Sequence, residues 1–143
     1  METHINSEYE DFELYHKNIY NIGFHIFCGI LFMTFFLLSF KKYNNVALAL
    51  YSLLLLFTIN NIIVTGIVLV LLFSLSNIIF TKNNYSQLTL FGLFLVFYLL
   101  PDLSHYLTNE KTVLTIENIT PFNAFVNIFY LLPFSIMCLF NSS

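Results

Sequence analysis

The chain has 143 residues, of which 58% are hydrophobic, 19% aromatic and only 9% charged, with a formal net charge of −3. Soluble domains carry about 25% charged residues, so this chain has too little polar surface to face water all round. It reads as one all-α membrane domain over residues 1–143, crossing the bilayer about five times, and with five Lys, no Arg and no Trp it offers no nucleic-acid surface.

In chain order, residues 1–20 form an acidic, polar tail with Glu2, Glu8, Glu10, Asp11 and Glu13. Its composition is the opposite of a cleavable signal peptide. Ser7, with Glu10 three residues on, predicts a short interfacial helix starting near Ser7. Apolar segments follow near 22–40, 45–59, 62–80, 86–106 and 121–140. Lys41-Lys42, Asn60-Asn61, Lys82 with Asn83-Asn84, and the polar stretch 108–120 separate them. The 45–59 segment is short for a crossing, and tilt or local thinning would have to accommodate it. Cys28 and Cys138 lie in apolar segments at opposite ends of the chain and read as buried free thiols.

Five alternating crossings place the N-terminus, the Asn60-Asn61 turn and the 107–120 loop on one side. All eight acidic residues and all four histidines then share that side. The Lys41-Lys42 and Lys82 loops share the other; the positive-inside rule would put them in the cytoplasm, but three lysines do not fix the orientation. If 45–59 turned back instead of crossing, His105 would be separated from His16 and His25.

Asn18, Asn21 and His25 stand three and four apart and share a helical face. His16 and His25 differ by nine residues, about 180° around a straight helix. Both can grip one ion only if the helix breaks between them, and Asn21-Ile22-Gly23 is the expected place. Asp102, His105 and Asn109 share a second face, with Pro101 loosening the backbone there. Glu110, five residues after His105, points elsewhere unless the helix has ended. Three histidines at the ends of two membrane segments are what a metal site needs, and imidazole suits iron, zinc, copper and nickel. Neighbouring Asn and Asp side chains could orient the rings. Partly solvated interfacial histidines are the alternative. His4 lies in the tail and is a weaker ligand candidate. Asn84-Tyr85-Ser86 and Asn118-Ile119-Thr120 match the glycosylation sequon, a frequent chance match in an Asn-rich chain. There is no glycine-rich phosphate loop, nucleophile elbow or CxxC pair.

The stretch "LYHKNIYNIGFHIFCGI" resembles the N-terminal signature of the 2-hydroxy fatty acid dioxygenase-like membrane proteins. That pattern is an aromatic residue, His, any residue, Asn, two residues, Asn, three residues and His. Tyr15, His16, Asn18, Asn21 and His25 keep every spacing. The family's second block, a His in a late membrane helix with a nearby carboxylate and Lys, is matched by His105, Glu110 and Lys111. The likeness covers roughly residues 9–135. Ser104 stands where the family usually has Gly, Asn109 stands near the usual carboxylate position, and Thr112-Val113 replaces an expected Pro.

The resemblance implies an iron(II)-dependent dioxygenase of fatty acid α-oxidation. Such an enzyme shortens a 2-hydroxy fatty acid by one carbon at the endoplasmic reticulum membrane. It implies Fe(II) on His16, His25 and His105, with Glu110 as a further ligand and with Tyr15, Asn18, Asn21, Asp102 and Asn109 around them. Membrane lipid, the hydroxy acid and dioxygen are the implied partners. The differences in the second block point to a competing reading, a non-enzymatic membrane protein that binds lipid or a partner. A small histidine-titrated channel is a third reading, though no helix carries a continuous polar stripe. Histidine-rich hydroxylases and desaturases need more histidines, in HxxH-type pairs, than this chain has.

Overall fold

The computed structural model describes residues 2–82, 85–111 and 120–141, with no side-chain description for 2–4 or 80–82. The second sequon position Asn118, the first, Asn84, and the Thr112-Val113 substitution lie outside the described residues, as does the side chain of His4. The fold is all-α. Its helices are α1 (Glu2–Tyr15), α2 (Ile19–Ser39), α3 (Asn44–Thr58), α4 (Ile62–Lys82), α5 (Gln87–Leu99), α6 (Pro101–Thr108) and α7 (Pro121–Asn141), and no strand occurs among the described residues. Four stretches are long and apolar enough to cross a membrane: Ile19–Ser39, Ile62–Ile79, Gln87–Thr108 and Pro121–Asn141. The 15 residues of α3 rise only about 22 Å, short of a hydrocarbon core of about 30 Å. The expected five crossings therefore become four full-length spans and one shorter helix.

Helix α2 is the centre of the bundle, with α5, α6, α7 and α4 packed around it. Ring contacts give the directions. Phe32 meets Phe94 and Tyr98, Phe36 meets Phe94, and Gln87 Nε2 donates to the Ser39 carbonyl (3.0 Å). So α5 begins beside the end of α2 and runs antiparallel to it. Helices α3 and α4 form a hairpin between them, closed by Asn61, whose Oδ1 accepts the Val64 N–H (3.1 Å). Despite its length, α3 preserves the parity that returns His105 to the end holding His16 and His25.

The last helix departs from the alternating expectation. Phe36 meets Phe129, Gly29 faces Leu132, and Phe12 meets Phe134, so α7 also runs antiparallel to α2. Helix α7 therefore runs in the same direction as α5 and α6. Its C-terminal Asn141 returns to the histidine end, where Nδ2 donates to Tyr9 Oη (2.8 Å) and Glu13 Oε1 (3.1 Å). Pro121 starts α7 toward the opposite end from Glu110. A Cβ on Gly29 would stand 3.2 Å from the Leu132 Cβ, so glycine at this position lets α2 and α7 approach closely, a common device between membrane helices.

Pro133 lies inside α7 and cannot donate to the carbonyl four residues back. That carbonyl belongs to Phe129, and Tyr51 on α3 donates its hydroxyl to it (2.8 Å). An unpaired carbonyl in an apolar interior is costly, so this bond ties α3 to the proline kink. Tyr51→Phe is expected to destabilise the protein by about 1–3 kcal/mol, read as a lower unfolding temperature in detergent. An unchanged temperature would show that the carbonyl has another partner.

Helix α1 starts at Glu2, earlier than the Ser7 expected from the capping pattern. Ile5 and Phe12 are buried and Tyr9 packs against the same core, the spacing of one helical face. That face lies on α7, where Tyr9 meets the edge of Phe134. Cys28 and Cys138 are both buried and free.

Candidate metal centre

The chain breaks between α1 and α2 over residues 16–18, upstream of the expected Asn21-Ile22-Gly23. Asn18 starts α2: its Oδ1 accepts the Tyr20 N–H (2.9 Å), and its carbonyl accepts the Ile22 N–H (3.0 Å). Gly23 lies within continuous helix. His16 thus hangs from the end of α1 while His25 sits one turn and a half into α2, which removes the 180° separation of a straight helix. Pro101 opens α6, a bend that leads His105 to the same point.

His16, His25 and His105 are buried, and their candidate ligand atoms all lie within 4.8 Å of one another. The rings pack edge to face with centroids 4.5, 4.6 and 4.9 Å apart. His16 Nδ1 is 2.7 Å from the Phe12 carbonyl, and His25 Nδ1 is 3.0 Å from the Asn21 carbonyl. A carbonyl can only accept, so both Nδ1 atoms carry protons. A neutral imidazole has one N–H, which leaves both Nε2 atoms as bare lone pairs. These two lone pairs face each other at 3.2 Å.

Two unprotonated acceptors in that position repel each other. A cation between them turns repulsion into coordination. With metal–nitrogen bonds of about 2.0–2.1 Å, adjacent ligands on an octahedral or tetrahedral ion stand roughly 2.9–3.4 Å apart, and the observed separation falls in that range. The donor set therefore fits a first-row transition ion. Burial pushes His16 down to about 4, against the raising effect of the Phe12 carbonyl. Its ring is therefore neutral at physiological pH, the form that coordinates.

Around the imidazoles, Phe12 stacks on His16 at 3.7 Å and 10°. Asn21 is fully buried. Its Nδ2 donates to Glu110 Oε2 (2.6 Å) and lies 3.3 Å from His105 Nδ1, while its Oδ1 accepts the Ser104 hydroxyl. Ser104 Oγ also lies 2.7 Å from the Pro101 carbonyl and 3.3 Å from His25 Nδ1. Helix α6 stops at Thr108, and Asn109 takes the left-handed conformation (φ 55°), which asparagine tolerates better than most residues. That turn brings Glu110 back toward α2, where Oε1 accepts the N–H groups of Lys17 (2.7 Å) and Asn18 (2.8 Å). Burial alone would raise the Glu110 carboxyl, but these N–H donors, Asn21 and His105 outweigh it and hold it below the usual carboxylate range.

The expected residues thus fall into three groups. The imidazoles of His16, His25 and His105 converge. Asn21 and Glu110 bond around them, and Asn18 serves as the cap that Glu110 also grips. Asp102 and Asn109 are exposed and Tyr15 is half-buried; Asp102 reaches His105 through its charge, and no described contact takes Tyr15 or Asn109 onto the rings. Sequence reasoning did not single out Phe12 or Ser104. Phe12 stands four residues before His16, where a helical carbonyl meets a ring nitrogen. Ser104 entered only as a departure from glycine, and its hydroxyl proves to donate to Asn21 Oδ1. Comparison with protein-family models, with curated proteins and with solved structures found no match.

Proposed function

We propose that this protein is an iron(II)-dependent dioxygenase of membrane fatty acids, converting a 2-hydroxy fatty acid to the acid one carbon shorter. The observation that carries the reading is the approach of His16 Nε2 and His25 Nε2 to 3.2 Å, with each ring's Nδ1 turned to a carbonyl and His105 beside them, at one end of an apolar helix bundle. The resemblance around Tyr15–His25 supplies the choice of iron and of reaction. In a eukaryotic cell the same resemblance puts the protein in the endoplasmic reticulum membrane.

Iron, when bound, supplies the redox chemistry that lets dioxygen react with the hydroxy acid. The one-carbon-shorter acid, carbon dioxide and water balance one hydroxy acid and one dioxygen. The chain's own residues have three tasks. His16, His25 and His105 hold the ion through neutral nitrogens. Phe12 and the helix faces around it keep bulk water off the rings. The apolar helix surfaces take the acyl chain, and each CH₂ removed from water contributes about 0.8 kcal/mol, so a long chain binds by its tail while its polar head reaches the imidazoles.

The test is turnover. The full chain, purified in mild detergent and supplied with iron(II) and 2-hydroxypalmitic acid in air, is expected to yield the one-carbon-shorter acid by mass spectrometry. His105→Ala is expected to lower the yield at least a hundredfold. Iron-loaded, folded protein without product would point to another lipid substrate. Folded protein that takes up no metal would favour the non-enzymatic reading.

A further inference from the structure

We propose that Glu110 is a positioning residue and not a metal ligand, acting through Asn21 to fix the proton and ring orientation of His105. The inference rests on the metal-centre reading above, and its test separates the two.

Three features argue for it. First, the carboxylate is already engaged. Oε1 takes the backbone N–H groups of Lys17 and Asn18, and Oε2 takes the Asn21 amide at 2.6 Å, with Thr108 Oγ1 at 3.5 Å. Lys17 and Asn18 stand where helix α2 begins, so their N–H groups have no partner within that helix. To reach an ion through Oε2, Glu110 would have to weaken its bond to Asn21, and through Oε1 its bonds to the two backbone N–H groups. Second, the compact ligand group comprises His16, His25 and His105 alone among the described residues.

Third, Asn21 connects Glu110 to two of the imidazoles. Its backbone carbonyl takes the His25 Nδ1–H, and its side-chain N–H points at His105 Nδ1. An amide can face either way, and here the choice is forced. A carboxylate accepts and never donates, so Nδ2 must face Glu110, and Oδ1 then faces the Ser104 hydroxyl. With Nδ2 fixed, His105 Nδ1 is the acceptor and its Nε2 carries the proton in the metal-free protein. Glutamine cannot replace glutamate in this role. It has a single acceptor oxygen, and its own N–H₂ would confront either the backbone donors or the Asn21 amide. That tautomer leaves His105 without a bare nitrogen for an ion, so releasing the amide from Glu110 is expected to raise metal affinity, on the 10–100-fold scale typical of partners that orient a ligand.

The experiment uses the full chain in detergent, with Co(II) as the probe because its visible spectrum reports the number and type of donors. Glu110→Ala is expected to keep the wild-type band pattern while strengthening Co(II) binding about 10–100-fold, because the released Asn21 amide can turn its oxygen to His105 Nδ1–H and leave Nε2 bare. Glu110→Gln, which preserves the volume and one acceptor, should strengthen binding in the same direction. In an Asn21→Ala background, adding Glu110→Ala should change affinity less than about threefold, because the pathway is already cut. In metal-free protein, the ¹⁵N ring shifts of His105 should report the Nε2–H tautomer and become a tautomer mixture in Glu110→Gln.

A Co(II) spectrum that loses an oxygen donor in Glu110→Ala would overturn the proposal, as would a loss of affinity in that variant or an equal change with and without Asn21. An unchanged His105 tautomer in Glu110→Gln would overturn it too. Wild-type protein that binds no Co(II) would instead overturn the metal reading, while the tautomer measurement would still decide the role of Glu110.

Discussion

Metal is expected to stabilise this protein, and His25→Ala is expected to abolish that stabilisation. An ion that binds only the folded state at one hundred times its dissociation constant contributes about 2.7 kcal/mol, which for a chain of this size raises the unfolding temperature by roughly 5–10 °C. The sign follows from the facing Nε2 atoms of His16 and His25. Metal-free, they are two acceptors without a donor; metal-bound, both are satisfied. His25→Ala removes one of the pair and leaves at most two histidines, so thermal scans with and without iron(II) or Co(II) should coincide. A full metal shift retained in His25→Ala would place the ion elsewhere.

Asn21→Leu is expected to be the most damaging single substitution at the site, even without metal. The two side chains share a γ-branched shape, leucine being the bulkier, so the substitution removes the polar groups without leaving a cavity. What is lost is every side-chain bond that Asn21 makes. Glu110 Oε2 and His105 Nδ1 each lose a donor, while the Ser104 hydroxyl keeps the Pro101 carbonyl. Orphaning a buried polar group costs about 1–3 kcal/mol, and more for a charged one. The sum is roughly 3–5 kcal/mol, read as a fall of more than about 10 °C in the unfolding temperature of the metal-free protein. A fall of only a degree or two would mean that water or another side chain replaces the amide.

Much of the fold was legible in the chain. Long apolar runs can only be helices in a bilayer, because every backbone N–H and C=O must be satisfied within its own segment. That argument located α2, α3, α4, the α5–α6 pair and α7 to within a few residues. It also marked 45–59 as short for a crossing, and α3 has 15 residues. It could not find that α7 runs in the same direction as α5, because direction is set by which faces interdigitate, such as Leu132 against Gly29. The start of α1 was displaced from Ser7 because Ile5 is buried, so packing extends the helix beyond its sequence cap.

The candidate site divides in the same way. The identity of the three imidazoles, and the need for a break between His16 and His25, follow from residue type and a nine-residue spacing. The position of that break does not. It falls at residues 16–18 because Glu110, more than ninety residues later, accepts the N–H groups exposed there. The sequence alone determined that this is an all-α membrane protein carrying histidines at its helix ends, since hydropathy and periodicity are local properties. Only the tertiary structure decided that Glu110 bonds to Asn21 and that Ser104 donates to the same amide, since these side chains come from distant parts of the chain. It also decided that the Nε2 atoms of His16 and His25 meet, which depends on how the chain turns between α1 and α2.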